Sequence, residues 1–291
     1  MSAPVALPGL PNGPGRISVL LRLELADAVR SRWVAFSAAT YLVAFGAFVW
    51  LGLRESSVLG FTGITRVVLN ASNAIVVLLP LVSLVATCQA VVRARANGTF
   101  ELFLSQPCER RDWFVSLLAS RLLLLITPLV VVLGVALAAG LLSSELEPGL
   151  VVLVARALTV GGALVFAFTG IGIALSTFCA TGERAIVLAL LAWLAGVALH
   201  DFALIGLLLE MRVRPELVFV LTALNPVEAS RLALLSAFDP ELGIFGPVGF
   251  WIANELGPNW TFVLGVTWPF VLGSAALGAA WRKFHRRDLV G

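Results

Sequence analysis

The sequence predicts an all-α membrane protein of six transmembrane helices. Three observations carry that prediction. Of the 291 residues, 59% are hydrophobic and only 13% charged, with a mean hydropathy of +0.99; ordinary soluble domains carry roughly 25% charged residues. The apolar residues gather into uncharged runs long enough to cross a bilayer, for which about 20 residues suffice. The basic residues are unevenly shared between the connections, as the positive-inside rule expects of a multi-pass chain.

In chain order, residues 1–15 hold Pro4, Pro8, Pro11 and Pro14 among small residues and read as a flexible tail without the basic-then-apolar pattern of a signal peptide. Residues 16–291 form one transmembrane domain. Ile17, Leu20, Leu21, Leu25 and Ala28 fall at helical spacing, with Arg22, Asp27 and Arg30 on other faces. Trp33 follows. An amphipathic helix at the headgroup level, anchored by Trp33, fits this stretch, and a plain extension of the first span is the alternative. The spans are expected at about 34–53, 74–92, 119–142, 151–177, 186–209 and 259–281. Pro80 lies inside the second. Arg121 and Arg156 lie near the ends of the third and fourth, where snorkelling accounts for them. The segment 56–73 suits either a short surface helix or a re-entrant loop. Residues 210–258 read as a long mixed connection with Pro215, Pro226, Pro240 and Pro247.

Six spans put both termini on one side. Fourteen of the 20 basic residues lie there, five lie on the opposite side and Arg156 lies in a span. The side with the termini is therefore expected to be cytoplasmic. The opposite connections are rich in acid (Glu145, Glu147, Glu210, Glu216, Glu228, Asp239, Glu241 and Glu255) and are expected to face the periplasm or exterior.

Several chemistries are argued against. Lys283 is the single lysine and stands between Arg282 and Phe284, so no Gly-Lys-Ser/Thr phosphate loop is available to bind ATP. Cys88, Cys108 and Cys179 show no C-x-x-C spacing. His200 and His285 lie at different depths, and Met1 and Met211 are the only methionines, so no soft-ligand metal site is expected. The basic residues follow topology and form no stripe interleaved with aromatics, which argues against nucleic acid.

Two polar segments stand out on the expected cytoplasmic side. Arg93 to Asp112 is an island with Arg93, Arg95, Arg110 and Arg111. Asn97-Gly98-Thr99 can end one helix and cap the next. Two readings fit the island: a short helix that seats in a protein groove, or a solvated loop whose charge only obeys topology. Gly182-Glu183-Arg184 forms a second tight turn. On the other side, His200-Asp201 interrupts the fifth run. Structural pairing, cargo contact and proton coupling all remain open for that pair.

The island's Gly98-Thr-Phe-Glu101-Leu102-Phe-Leu-Ser105-Gln-Pro107, followed by Arg110-Arg111, resembles the loop after the second span in ABC-2 type permeases. Glu24 in Leu23-Glu-Leu-Ala resembles the Glu-Leu segment before their first span. Asn225-Pro226-Val-Glu228-Ala-Ser-Arg231 resembles their Asn-Pro-x-acidic-x-x-Arg motif, and Arg286-Arg-Asp288 resembles their ending. A narrower resemblance, in Leu59-Gly-Phe-Thr62 and in Trp193, Asp201 and Leu204-Ile-Gly-Leu-Leu208, is to NosY-type permeases, which serve maturation of the copper enzyme nitrous oxide reductase. Where such permeases carry an acidic residue before Gly-Thr, this chain has Arg93-Ala-Arg-Ala-Asn97.

The resemblance implies a type V exporter-like fold with cytoplasmic coupling helices in an inner (cytoplasmic) membrane. It implies a permease subunit without its own ATPase motif, paired with a second copy of itself and with two ABC ATPase subunits that carry ATP and Mg. It also suggests a periplasmic NosD-like partner. Gly98, Thr99, Glu101, Leu102, Ser105, Pro107, Arg110, Arg111, Gly182, Glu183 and Arg184 would meet the ATPase. Asn225, Pro226, Glu228 and Arg231 would form an outer gate or partner contact. His200 and Asp201 are candidates for the pathway. The cargo class expected is a sulfur species, with lipid, peptide or drug export as the alternative. A scaffold or integral membrane enzyme is the rival of another class.

Overall fold

The computed structural model describes residues 15–30, 64–99, 109–142, 149–200, 215–237 and 246–286, with isolated positions at 35, 39, 40, 43, 202, 239 and 242. All elements among these residues are helical. They are α1 (Gly15–Arg30), α2 (Ile64–Thr87), α3 (Ala90–Ala96), α4 (Arg110–Leu142), α5 (Leu150–Phe178), α6 (Gly182–Trp193, extended by a π-helical segment Leu194–Leu199), α7 (Pro215–Leu224), α8 (Pro226–Leu235), α9 (Gly246–Glu255) and α10 (Gly257–Arg286). Helices are what a hydrocarbon environment demands, because each satisfies its backbone N–H and C=O groups within itself. Buried hydroxyls follow the same logic: Thr87 donates to the Ser83 carbonyl at 2.6 Å, and Thr177 to the Ile173 carbonyl at 2.8 Å.

Among the described residues, four segments are long and apolar enough to cross a bilayer: Val76–Ala96, Arg110–Leu142, Leu150–Phe178 and Gly257–His285. A fifth arises if α7 and α8 are taken together, although they meet at a bend of 112°. The expected span at 34–53 and the anchor Trp33 lie almost wholly or wholly outside the described residues. The expected span at 186–209 is helical from Gly182 to His200, and most of its remainder lies outside them.

Three expectations need correction. The second half of 56–73 is neither a separate surface helix nor a re-entrant loop, since α2 already starts at Ile64; Asn70 and Asn73 depress hydropathy without breaking the helix. Arg121 is only 8% exposed and packs inside the bundle rather than reaching a surface. Residues 215–255 are not an irregular connection, because α7, α8 and α9 fill much of them. Pro215, Pro226 and Pro247 sit at helix starts, where the missing N–H costs no intrahelical bond.

α5 is the centre of the bundle and packs against α2, α4 and α10. Glycines permit that closeness. A Cβ on Gly170 would lie 2.7 Å from the Gly273 carbonyl oxygen, and one on Gly273 would lie 2.7 Å from Ala167 Cα, so α5 and α10 touch backbone to backbone. Phe166 and Phe270 stack beside this crossing, with centroids 4.5 Å apart. Gly265 gives α8 the same access to α10, where Ser230 donates to its carbonyl at 3.0 Å. A second apolar cluster, of Val91, Trp113, Phe114, Leu117, Ile173, Ala280 and Phe284, closes the end of the bundle where α2 and α5 finish and α4 and α6 begin.

Candidate coupling surface

The arginine-rich end is built from helix termini that satisfy one another. α3 begins after Gln89, whose side chain caps nothing there. The first amides of a helix lack intrahelical acceptors. Ser176, on the last turn of α5, supplies one: its Oγ accepts from Val91 N at 2.9 Å and from Val92 N at 3.0 Å. A residue 85 positions away therefore does the work of an N-cap.

The last carbonyls of α5 have the complementary need. Arg95, in the last turn of α3, donates through Nη2 to the carbonyls of Ser176 (3.0 Å), Thr177 (3.4 Å) and Cys179 (3.0 Å). Its charge also lies at the negative end of the α5 dipole. Lys283 of α10 donates to the Phe178 carbonyl at 3.2 Å, with its ammonium 4.2 Å from the centroid of the Phe178 ring. Gln89 Nε2 donates to the Gly182 carbonyl at 3.2 Å and so ties the start of α3 to the start of α6.

This places the two expected ATPase-facing segments at one end of the bundle. Gly98 sits just past the end of α3 with φ 66°, and its N–H donates to the Arg95 carbonyl at 3.3 Å. A left-handed residue after a helix is the usual glycine C-terminal signal. Thr99 ends that described stretch; Glu101, Leu102, Ser105 and Pro107 lie outside the described residues. The chain returns at Glu109 and enters α4, where Arg110 Nη1 donates to the His285 carbonyl at 3.5 Å and Arg111 is exposed. In the second segment Thr181 caps α6, its Oγ1 accepting from Arg184 N at 3.5 Å, and the side chains of Glu183 and Arg184 are exposed.

α1 docks against the same end. Glu24 is buried and accepts from Trp113 Nε1 at 3.0 Å, while Trp113 stacks on Phe284 at 5.5 Å. Arg22, on the other side of α1, is exposed. α1 is thus pinned to α4 by a carboxylate as well as by apolar contact.

On the opposite side, Asn225, Pro226, Glu228 and Arg231, expected to form an outer gate or partner contact, stand at the bend and first turns of α8, packed among α2, α5 and α10. Glu228 is 5% exposed and pairs with Arg231 at 2.8 Å, which allows both charges into an apolar setting. Asn225 caps α8, its Oδ1 accepting from Val227 N at 2.9 Å, and its Nδ2 donates to the Gly196 carbonyl. Gly196 lies in the π-helical segment, a geometry that departs from the ordinary carbonyl ladder and is frequent at functional sites. The Asn-Pro motif is thereby joined to α6 one turn before His200, whose Nε2 is buried without a partner among the described residues. Asp201 lies outside them.

Sequence reasoning missed Gln89, Ser176 and the contact made by Lys283, and read Arg95 only as one of the arginines of the island. Ser176 carries no local signal, because its role depends on a helix far away in the chain.

Comparison with known proteins agrees with this architecture. A family model described as ABC-2 family transporter protein matches residues 18–289. The "Probable ABC transporter permease protein NosY" of Stutzerimonas stutzeri is 30% identical over 224 residues, covering 76% of this chain and 81% of that relative. Its namesake in Pseudomonas aeruginosa is 29% identical over 225 residues, covering 76% and 82%. With a family match along almost its whole length, this chain belongs to the ABC-2 family of transporter permeases.

Proposed function

We propose that the chain is one half of an ATP-driven permease. Each half has six spans, and two copies form the pathway. Two ABC ATPase subunits bind ATP and Mg and dock under Gly98–Arg111 and Gly182–Arg184. The observation that carries this reading is the cross-capping of α3 and α5. Arg95, Ser176 and Gln89 fasten both polar segments to the helix at the centre of the bundle. A push on either segment then reaches α5 directly, and through the Gly170–Gly273 crossing it reaches α10. Such a chain of packed backbone transmits displacement because close-packed interiors resist compression.

The arginines at this end support a cytoplasmic placement of it and of both termini, in an inner membrane. In line with the NosY-type resemblance of its motifs, we take the cargo to be a sulfur-containing species used in building the copper site of nitrous oxide reductase, with a NosD-like protein on the outer side. The test is co-purification of the tagged chain with a P-loop ATPase from its native membranes. Wild type is expected to retain the ATPase and Glu101→Arg to lose it, with the permease itself intact. Equal retention by both would reject the docking site. Loss of nitrous oxide reductase copper loading on deletion of the chain would support the cargo assignment, and unchanged loading would reject it.

A further inference from the structure

α5 carries a charge inside its span. Arg156 lies six residues beyond Leu150, or about 9 Å along the helix at a rise of about 1.5 Å per residue. This is the end of α5 opposite the cross-capped one. Three other basic groups placed against the bundle have polar partners: Arg231 has Glu228, Arg95 has the α5 carbonyls, and Lys283 has the Phe178 carbonyl. Arg156 differs. Its guanidinium carbon lies 4.9 Å from the centroid of the Phe262 ring on α10. Its Nη1 is buried and meets no hydrogen-bond partner among the described residues.

An aromatic face offsets part of a cation's charge but takes little of its hydrogen-bonding capacity. An unpaired guanidinium at this depth is costly, and a membrane helix keeps one chiefly where it has work to do. Plain snorkelling does not account for the arrangement, because a snorkelled arginine turns its nitrogens toward the headgroups, whereas Nη1 is shielded by protein. The planar fork of a guanidinium matches two oxygens of one tetrahedral anion.

We propose that Arg156, braced on Phe262, is an oxyanion-binding site between α5 and α10. The group it takes is a phosphate or sulfate-like headgroup with two acceptor oxygens. That chemistry has two sources, the phosphate of an anionic phospholipid and a soluble oxyanion entering the permease. The inference rests on the chain spanning a bilayer. It does not depend on the ATPase docking reading, and its test uses neither ATP nor a partner.

Wild type, Arg156→Gln, Arg156→Lys and Phe262→Leu are purified and placed in phosphatidylcholine nanodiscs. In one arm sulfate, thiosulfate and phosphate are titrated against intrinsic tryptophan fluorescence. In the other, native mass spectrometry counts phosphatidylglycerol molecules retained after delipidation. Arg156→Gln is expected to weaken binding by about tenfold or more in one arm, the loss of a charge-assisted contact. Arg156→Lys and Phe262→Leu should fall between it and wild type while keeping wild-type helical signal and monodispersity. The arm that responds names the source. Wild type binding in neither arm, or Arg156→Gln binding like wild type in both, would overturn the site.

Discussion

Replacing Arg95 by alanine removes the clamp between α3 and α5. The side chain makes three contacts, at 3.0, 3.4 and 3.0 Å, all through Nη2. That nitrogen carries two hydrogens, so the three contacts amount to about two full bonds. Each hydrogen bond from a charged donor contributes about 1.5–3 kcal/mol net. The side chain is half-buried rather than sealed, and water can take over some of the carbonyls, so the lower part of the range applies. A loss of about 3–4 kcal/mol follows once the interaction with the helix dipole, about 0.3–1 kcal/mol, is included. At about 2–4 °C per kcal/mol for a chain of this size, the melting temperature in detergent should fall by about 6–16 °C. Arg95→Lys should recover part of this, because an ammonium reaches fewer carbonyls than a fork. The functional assay is ATP hydrolysis and transport by the reconstituted complex. With the clamp gone, hydrolysis should continue while cargo movement per ATP falls. An Arg95→Ala protein with wild-type melting and wild-type transport per ATP would refute the reasoning.

The remaining predictions concern other joints of the same structure. Asn225→Ala should lose about 1–3 kcal/mol, the α8 cap plus the bond to the Gly196 carbonyl, whereas Asn225→Asp keeps the cap and should lose less; thermal unfolding separates them. Gly170→Val should lose about 1–3 kcal/mol through overpacking against Gly273, while Gly134→Ala, with nothing within 4 Å of its added Cβ, should be close to neutral in the same assay. Glu24→Ala should cost about 1.5–3 kcal/mol by unpairing the Trp113 indole, and Glu24→Gln, which keeps an acceptor oxygen, should retain most of it. Limited proteolysis within α1 would report its release from α4 in the alanine variant alone.

The sequence made the long helices legible, because bilayer length and lack of charge leave few other outcomes. The expected 151–177 and 259–281 fall within Leu150–Phe178 and Gly257–Arg286. It did not show that Asn225, Pro226, Glu228 and Arg231 are packed into the bundle at the start of α8. Hydropathy counts each charge separately, and it cannot see that Glu228 and Arg231 neutralise each other three residues apart. It also could not show that Ser176 caps α3, since that contact spans most of three helices. Glu24 stood out as part of a motif, but its partner Trp113 did not. Family membership was legible because the motifs stand in the right order along the chain.

The central claim is that an ATPase subunit docks on the end of the bundle where α3, the α5–α6 turn and the start of α4 converge. Its most direct test is photo-crosslinking from Arg111 and Arg184, both exposed at that end, with Trp260, 69% exposed near the start of α10, as the opposite-end control. Probes at Arg111 and Arg184 should capture the ATPase in membranes, and a probe at Trp260 should not. Capture from Trp260, or from none of the three while the complex stays intact, would contradict it.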